Sequence, residues 1–413
     1  MPRVLVVGAG VLGASVAHHL AQAGAHVTVI DAGGPAAGTS SATFSIDVTH
    51  LKTPFSYYAL NRRGAELHQR LGEELGGADW RHPAPLVQWG HTEQEQHVIR
   101  ERAERLRDWG HACRSAHPAE LADLAPGVSP DACRADELVV HEHACWYDAP
   151  LFTRRLLDRA ALGGADIRFG LRVTEVLRTG GRVTGVVAEG RRFEADWVVN
   201  CAGPDAGRIA ALAGASLPLN RVPGLVGEST RLPDHEQLGA ILATPGVDLR
   251  PAPDGRVVSI SWPVDAMLPP DAEGATDTRD AVDASNASNP SNASDTARRA
   301  DPALEQELHR LGREVFTPLR AAGMAGVRLG VRPVPADGLP LVGCAEATAG
   351  LYTVVTHSGV TLAPALGLLA AREIVGGRAC EELADYRPDR VPATDVLDES
   401  VQVMSGAAAI TAA

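Results

Sequence analysis

The first thirty-one residues constrain this chain more than any other stretch. Residues 3–7 read Arg-Val-Leu-Val-Val, followed by Gly8-Ala9-Gly10-Val11-Leu12-Gly13, an apolar helical run, and Val27-Thr28-Val29-Ile30-Asp31. The pattern is a buried strand, a glycine turn, a helix and a second buried strand ending in a carboxylate. Gly8 permits the tight turn, Gly10 lets a pyrophosphate approach the backbone, and Gly13 lets the helix sit close on the strand. Val11 and Leu12 open the helix, where free N–H groups and the positive dipole end favour phosphate. Asp31, 18 residues after Gly13, is placed to accept hydrogen bonds from ribose hydroxyls, and its charge argues against a 2′-phosphate. The unit reads as a dinucleotide site.

The next residues extend it. Ala32 follows the acidic strand end into a small polar loop ending in Gly38, Thr39, Ser40 and Ser41, whose amides and hydroxyls can meet a diphosphate from a second side. Residues 44–54 carry His50 and Lys52, and an amphipathic helix is expected near 57–75, with another over 93–109. The chain has 37 arginines and one lysine, Lys52. Residues 137–146 read as a strand with His141 and His143 on one face; without a third ligand nearby they read as a packed or solvated pair, and no metal site is expected.

From residue 151 a helix, then segments near 166–169, 172–177, 182–187 and 192–195, alternate as strands with glycine turns. Trp197-Val198-Val199-Asn200-Cys201-Ala202-Gly203 is a second strand entering a glycine turn before a helix, which suggests another backbone approach to the same nucleotide. Residues 216–265 read as sheet. Residues 269–301 are rich in Asp, Ala, Ser and Asn with almost no large apolar side chains, the composition of a disordered insertion; the sequons at Asn286 and Asn292 fall inside it. A helix is expected over 302–316. Strands follow over 327–333 and 351–356, the latter breaking at His357-Ser358-Gly359 into a helix that runs to about residue 375.

Composition narrows the classes. At 413 residues two or three domains are expected, and the net charge of −13 speaks against nucleic acid or an anionic membrane as partner. A strand beginning at residue 3 leaves no room for a signal peptide. The longest apolar run, 360–371, is short for a membrane span and contains Pro364. Six cysteines without CxxC spacing read as reduced thiols in a cytoplasmic protein.

In this order the pieces resemble the D-amino acid oxidase/glycine oxidase/sarcosine oxidase family of FAD enzymes. The resemblance runs from residue 4 to about 377 and is carried by Gly8–Gly13 with Asp31, the turn at Gly203, Gly-Val-Arg-Pro-Val-Pro at 330–335 within residues 330–343, and Thr356-His357-Ser358-Gly359-Val360-Thr361. It implies an α/β, Rossmann-like FAD-binding domain assembled discontinuously from 1–50, 150–215 and 320–395. A mainly antiparallel substrate domain from 51–149 and 216–319 would cover the flavin, and 396–413 would be a flexible tail. It implies that Arg332 binds a substrate carboxylate, that residues 357–361 lie by the flavin, and that Val173 brackets the adenine side. The implied chemistry is oxidation of a C–N bond beside a carboxylate in a small amine or amino acid, with oxygen or a carrier as electron acceptor.

The sequence departs from the sarcosine oxidase pattern. No cysteine stands in residues 330–335, and Cys344 lies beyond them, so FAD is expected to bind non-covalently. The strand 257–262 lacks the lysine that such enzymes place above the flavin, which leaves Lys52 and His50 as candidates for a titratable or oxygen-activating role. Two alternatives stand beside this reading: a tailoring enzyme that oxidises a larger carrier-bound amine, and a non-catalytic FAD-binding protein.

Overall fold

A computed structural model describes residues 1–268 and 301–391. The expected insertion, apart from Asp301, and the expected tail lie outside these residues. Asp301 is the N-cap of the helix Pro302–Val315, its carboxylate accepting a hydrogen bond from the Ala303 N–H at 2.9 Å.

Two sheets organise the molecule. The first has six strands in the order 341–344, 351–355, 197–200, 3–7, 26–30 and 166–168. Strand β1 (Arg3–Val7) lies at its centre, parallel to Trp197–Asn200 on one side and to β2 (His26–Ile30) on the other. Four of its five residues are buried, as a strand covered on both faces requires. On one face lie helix α1 (Val11–Gln22), helix Ala149–Leu162 and the long helix Gly359–Gly376, sharing one apolar core with Val4, Val6 and Val29. On the other face Leu5, Val7 and Ile30 pack against the three-stranded meander Val173–Thr179, Arg182–Ala188 and Arg191–Glu194.

The second sheet has eight strands in the order 324–335, 219–229, 257–260, 248–251, 241–243, 86–88, 138–141 and 113–116. Its pairs are antiparallel except where Ile241–Ala243 runs parallel to Leu86–Gln88. This is the α/β architecture with a separate, mainly antiparallel sheet that the family resemblance implies.

Several elements depart from the sequence reading. The segment 137–146 is not one strand. Leu138–His141 joins the eight-stranded sheet, whereas Cys145–Tyr147 pairs with Arg81–Pro83, and the turn between them leaves His143 exposed. His141 and His143 therefore share no strand face, and no group of three metal-ligating side chains occurs among the described residues. The strand at 327–333 is longer, Met324–Pro335, and pairs along its length with Leu219–Ser229, which places it in the second sheet, whereas the resemblance implies that 320–395 belongs to the FAD domain. Helix α2 (Phe55–Glu74), assigned to the substrate domain, packs on Gly359–Gly376 and shares the core of the first sheet. Burial of its apolar face decides this, not its position in the chain. The helix Gly359–Gly376 matches the expected extent to about residue 375. It is long and apolar enough to cross a membrane, yet it lies in the main core with Leu362, Leu366 and Leu369 fully buried.

Candidate active site

A cavity of about 440 Å³ lies between the two sheets, with walls drawn from both. The first wall is the glycine turn. Gly8 has φ +111°, and a Cβ there would stand 2.8 Å from the Cys201 carbonyl carbon, so the turn and the second glycine turn at 201–203 can touch only without a side chain. A Cβ on Gly13 would collide with the Gly8 carbonyl, which confirms its packing role and explains why Gly13 itself does not line the cavity. Gly10 does line it, and a Cβ there would meet only Ser40 Oγ at 3.1 Å.

Asp31 fastens this turn. Its Oδ2 accepts the Ala9 N–H and its Oδ1 the Gly33 N–H, each at 2.7 Å. Burial pushes its carboxyl pKa up, against the pull of those two amides. Each oxygen keeps a lone pair for a hydroxyl donor, and Asp31 borders the cavity. Ser40 Oγ accepts the Val11 N–H at 3.0 Å, so the hydroxyl caps α1 and leaves its own proton to donate. The Thr39 hydroxyl instead donates to the Val331 carbonyl at 2.6 Å, tying the loop to the strand that carries Arg332.

The structure brings most of the expected residues to this cavity: Gly8, Gly10, Val11, Leu12, Asp31, Thr39 and Ser40, then Cys201, Ala202 and Gly203, then His357, Ser358, Gly359, Val360 and Thr361, with His50, Lys52 and Arg332. It leaves out three besides Gly13. Ala32 lies past the strand end and does not line the cavity. The Ser41 hydroxyl turns back to donate to the Gly38 carbonyl at 3.0 Å. Val173 is buried beneath the sheet with Val183 and Val186, and its carbonyl accepts from Arg208 Nη1 at 2.9 Å.

The opposite wall holds Arg332. Its Nη2 donates to Asp265 Oδ2 at 3.0 Å, and its guanidinium lies 4.4 Å from the Trp262 ring centroid. Asp265 Oδ1 also accepts the Leu225 N–H at 2.7 Å, so the carboxylate is anchored before it holds the arginine. Arg332 Nη1 is buried and has no hydrogen-bond partner among the described residues. Gly224 makes room for the pair, since a Cβ there would stand 2.6 Å from Asp265 Oδ2. Asp265, Trp262 and Gly224 escaped the sequence reading. Residues 257–262 read as one strand, whereas the chain leaves the sheet after Ile260 and starts the short helix Trp262–Asp265.

The third side joins distant segments. Lys52 Nζ lies 3.2 Å from His357 Nε2 and 5.3 Å from the Tyr57 ring centroid. Burial holds the Lys52 pKa down to about 7, and burial with the neighbouring cations Lys52 and Arg332 keeps His357 neutral. Tyr57 Oη pairs with Ser358 Oγ at 3.1 Å, which fixes the start of the long helix. His50 borders the cavity with its ring 4.7 Å from that of His141, whose Nδ1 lies 3.1 Å from His111 Nε2. Asp248 also faces the cavity; its Oδ1 accepts the Thr244 N–H at 3.1 Å, and burial pushes its pKa up to about 7. Nothing in the local sequence marked Asp248, because its burial arises from strands far apart in the chain.

A glycine turn at the C-terminal end of a central parallel strand, facing a sheet that presents an arginine, is the arrangement of a dinucleotide-dependent enzyme cleft. The family model described as DAO, FAD dependent oxidoreductase, matches residues 3–373, and the chain belongs to that family. The uncharacterized oxidoreductase YurR of Bacillus subtilis (strain 168) is 26% identical over 402 residues, covering 94% of this chain and 99% of the relative. A D-amino acid dehydrogenase of Xylella fastidiosa (strain 9a5c) is 24% identical over 434 residues, covering 92% and 93%. Among solved structures, glycine oxidase from Geobacillus kaustophilus superposes with a TM-score of 0.79 at 21% identity, over 95% of this chain and 99% of that one. Iminodiacetate oxidase from Chelativorans sp. BNC1 superposes with a TM-score of 0.76 at 25% identity, over 94% and 99%.

The protein is thus an FAD-dependent oxidoreductase. The residues present fit that cofactor: the space left by the absent Cβ of Gly10, the Asp31 carboxylate and the 356–361 turn all border one continuous cavity.

Proposed function

We propose that the chain oxidises the C–N bond of a small amino acid or secondary amine, such as glycine, a D-amino acid, sarcosine or a proline-like compound, to an imine. The observation that carries this reading is Arg332, whose buried Nη1 lacks a partner at the cavity wall. An unpaired buried donor of this kind costs about 1–3 kcal/mol, and a substrate carboxylate would relieve it. Asp265 and Trp262 fix the guanidinium plane, so a carboxylate bound there has its α-carbon held in one orientation. FAD, when bound, supplies the acceptor for the hydride.

The remaining groups would manage protons. Arg332 and Lys52 beside the cavity disfavour a substrate ammonium and so favour the neutral amine, the form from which hydride can leave. Lys52 and His357 would hold the released proton between Nζ and Nε2. The amides at the start of Gly359–Gly376 and the dipole of that helix favour negative charge on the bound cofactor. Gly8, Gly10, Val11, Leu12, Ser40 and the 201–203 turn would receive the diphosphate, and Asp31 the ribose.

FAD is held without a covalent tether in this reading. The one cysteine bordering the cavity, Cys201, is buried, and burial pushes its thiol pKa far up, which suppresses the thiolate. The six cysteines are all free, which supports a reducing compartment.

The test follows visible absorbance of the purified protein without air while glycine, sarcosine, D- and L-amino acids and proline are added in turn. Bleaching of the flavin band by one of them supports the reading, and readmitting air then separates an oxidase from a dehydrogenase. A flavin band that none of them bleaches would overturn it in favour of a larger amine substrate.

A further inference from the structure

We propose that Lys52 is a carbonyl-capturing nucleophile, whose amine condenses with the aldehyde or keto group of a small carboxylated carbonyl compound in the cavity to form a reversible imine. Three observations converge on it. Lys52 is the single lysine of the chain, yet it is 7% exposed and borders the cavity instead of solvent. It follows the turn Thr49–Leu51 and makes no ion pair among the described residues. Its Nζ is 3.2 Å from the neutral, buried His357 ring, and Arg332 borders the same cavity.

The chemistry needs these parts and no others. A nucleophilic amine must carry a free lone pair. An ordinary lysine, with pKa about 10.4, is almost wholly protonated near neutrality. Burial of Lys52 holds its pKa down to about 7, with Asp47 opposing the shift, so a large share of the amine is free there. In the condensation the Nζ–C bond forms and the carbonyl oxygen leaves as water. Both N–H protons of the free amine end on that oxygen, one as the carbinolamine hydroxyl forms and one, relayed through His357 Nε2, as it departs, so the exchange balances without oxidant or reductant. Arg332 offers the carboxylate contact that selects an oxo acid over a simple aldehyde.

The inference rests on the proposed function only for the source of the carbonyl, because hydrolysis of the product imine would leave such an oxo acid in this cavity. Capture there would park product on the enzyme until water released it. The condensation itself requires no turnover.

Glyoxylate is the probe. FAD-loaded protein is incubated with glyoxylate and sodium cyanoborohydride at neutral pH, then digested and mapped by mass spectrometry. The expected result is one carboxymethyl group on Lys52, acquired at least about ten-fold faster than by the same residue in urea-denatured chain. His357→Asn should slow labelling at Lys52 while leaving the amino-terminal amine unchanged, and Lys52→Arg should leave only the amino-terminal label. Labelling confined to the amino terminus, or a folded rate no higher than the denatured one, overturns the proposal. Labelling of Lys52 in a protein whose flavin no amine bleaches would keep capture and discard the amine-oxidation reading. Bleaching without labelling would do the reverse.

Discussion

Arg332 and Asp265, 67 residues apart, form a pair that is mostly shut away from water, with side chains 18% and 6% exposed. The arginine therefore enters the cavity with its charge already balanced on one edge and open on the other. Arg332→Ala should weaken carboxylate-bearing substrates by ten- to hundred-fold in KM, about 1.4–3 kcal/mol, while FAD content stays unchanged. Steady-state kinetics beside the flavin-to-protein absorbance ratio checks both halves.

The same pair sets a stability prediction. Asp265→Ala strands a buried guanidinium, so chemical denaturation should show a loss of about 3 kcal/mol, whereas the Asp265→Ala/Arg332→Ala double variant should lose less than the sum of the two single changes.

The two glycines on the turn should separate folding from cofactor binding. Gly13→Ala drives a methyl group into the Gly8 carbonyl, so the variant should lose thermal stability even without FAD. Gly10→Ala meets only Ser40 Oγ at 3.1 Å, so the FAD-free protein should keep its Tm, while affinity for FAD falls at least about ten-fold because the methyl occupies the phosphate's approach. Differential scanning fluorimetry with and without FAD reads both.

Asp248 gives a pH dependence of defined sign. Its folded pKa is raised to about 7, above the unfolded value of about 3.9, so the folded state holds the extra proton between those values. Stability from this group is full below pH 4 and is lost as pH rises to about 7. Asp248→Asn keeps an acceptor for the Thr244 N–H and should be more stable than the parent at pH 8, by on the order of 1–4 kcal/mol, with the gap closing at pH 4. Urea titrations at the two pH values decide it.

Lys52 works in the opposite sense. Its folded pKa of about 7 lies below the unfolded value near 10.4, so the unfolded chain binds the extra proton between them and stability rises with pH across that window. Lys52→Met should therefore stabilise the protein at pH 6, and the advantage should shrink as pH climbs toward 10.

The nucleotide half was legible because its signals are local. Strand alternation, the glycine spacing and the terminal Asp31 lie within one βαβ stretch, where Gly8 and Gly13 exclude a side chain because backbone approaches closely and Gly10 leaves room for a phosphate. The meander at 173–194 was legible for the same cause. The substrate wall was not. Asp265 matters only because Leu219–Ser229 and Met324–Pro335 pair beside it, Lys52 meets His357 across 305 residues, and Asp248 is buried by strands that no periodicity connects. The break at residues 142–144 was hidden because Leu138–His141 and Cys145–Tyr147 are equally apolar, and only pairing with different partners separates them. Fold-level resemblance located Arg332 but carried no information about its counter-ion.

The order of strands in the first sheet has a consequence for synthesis of the chain. β1 cannot complete its pairing on one side until Trp197–Asn200 has emerged, and that strand in turn waits for Leu351–Val355. The turn at 356–361 comes later still. A nascent chain therefore carries an open phosphate turn through most of its translation, with no closed cleft to retain the cofactor. Loading becomes an event of the finished polypeptide, paced by long-range strand closure and not by the early βαβ unit that looks ready for it.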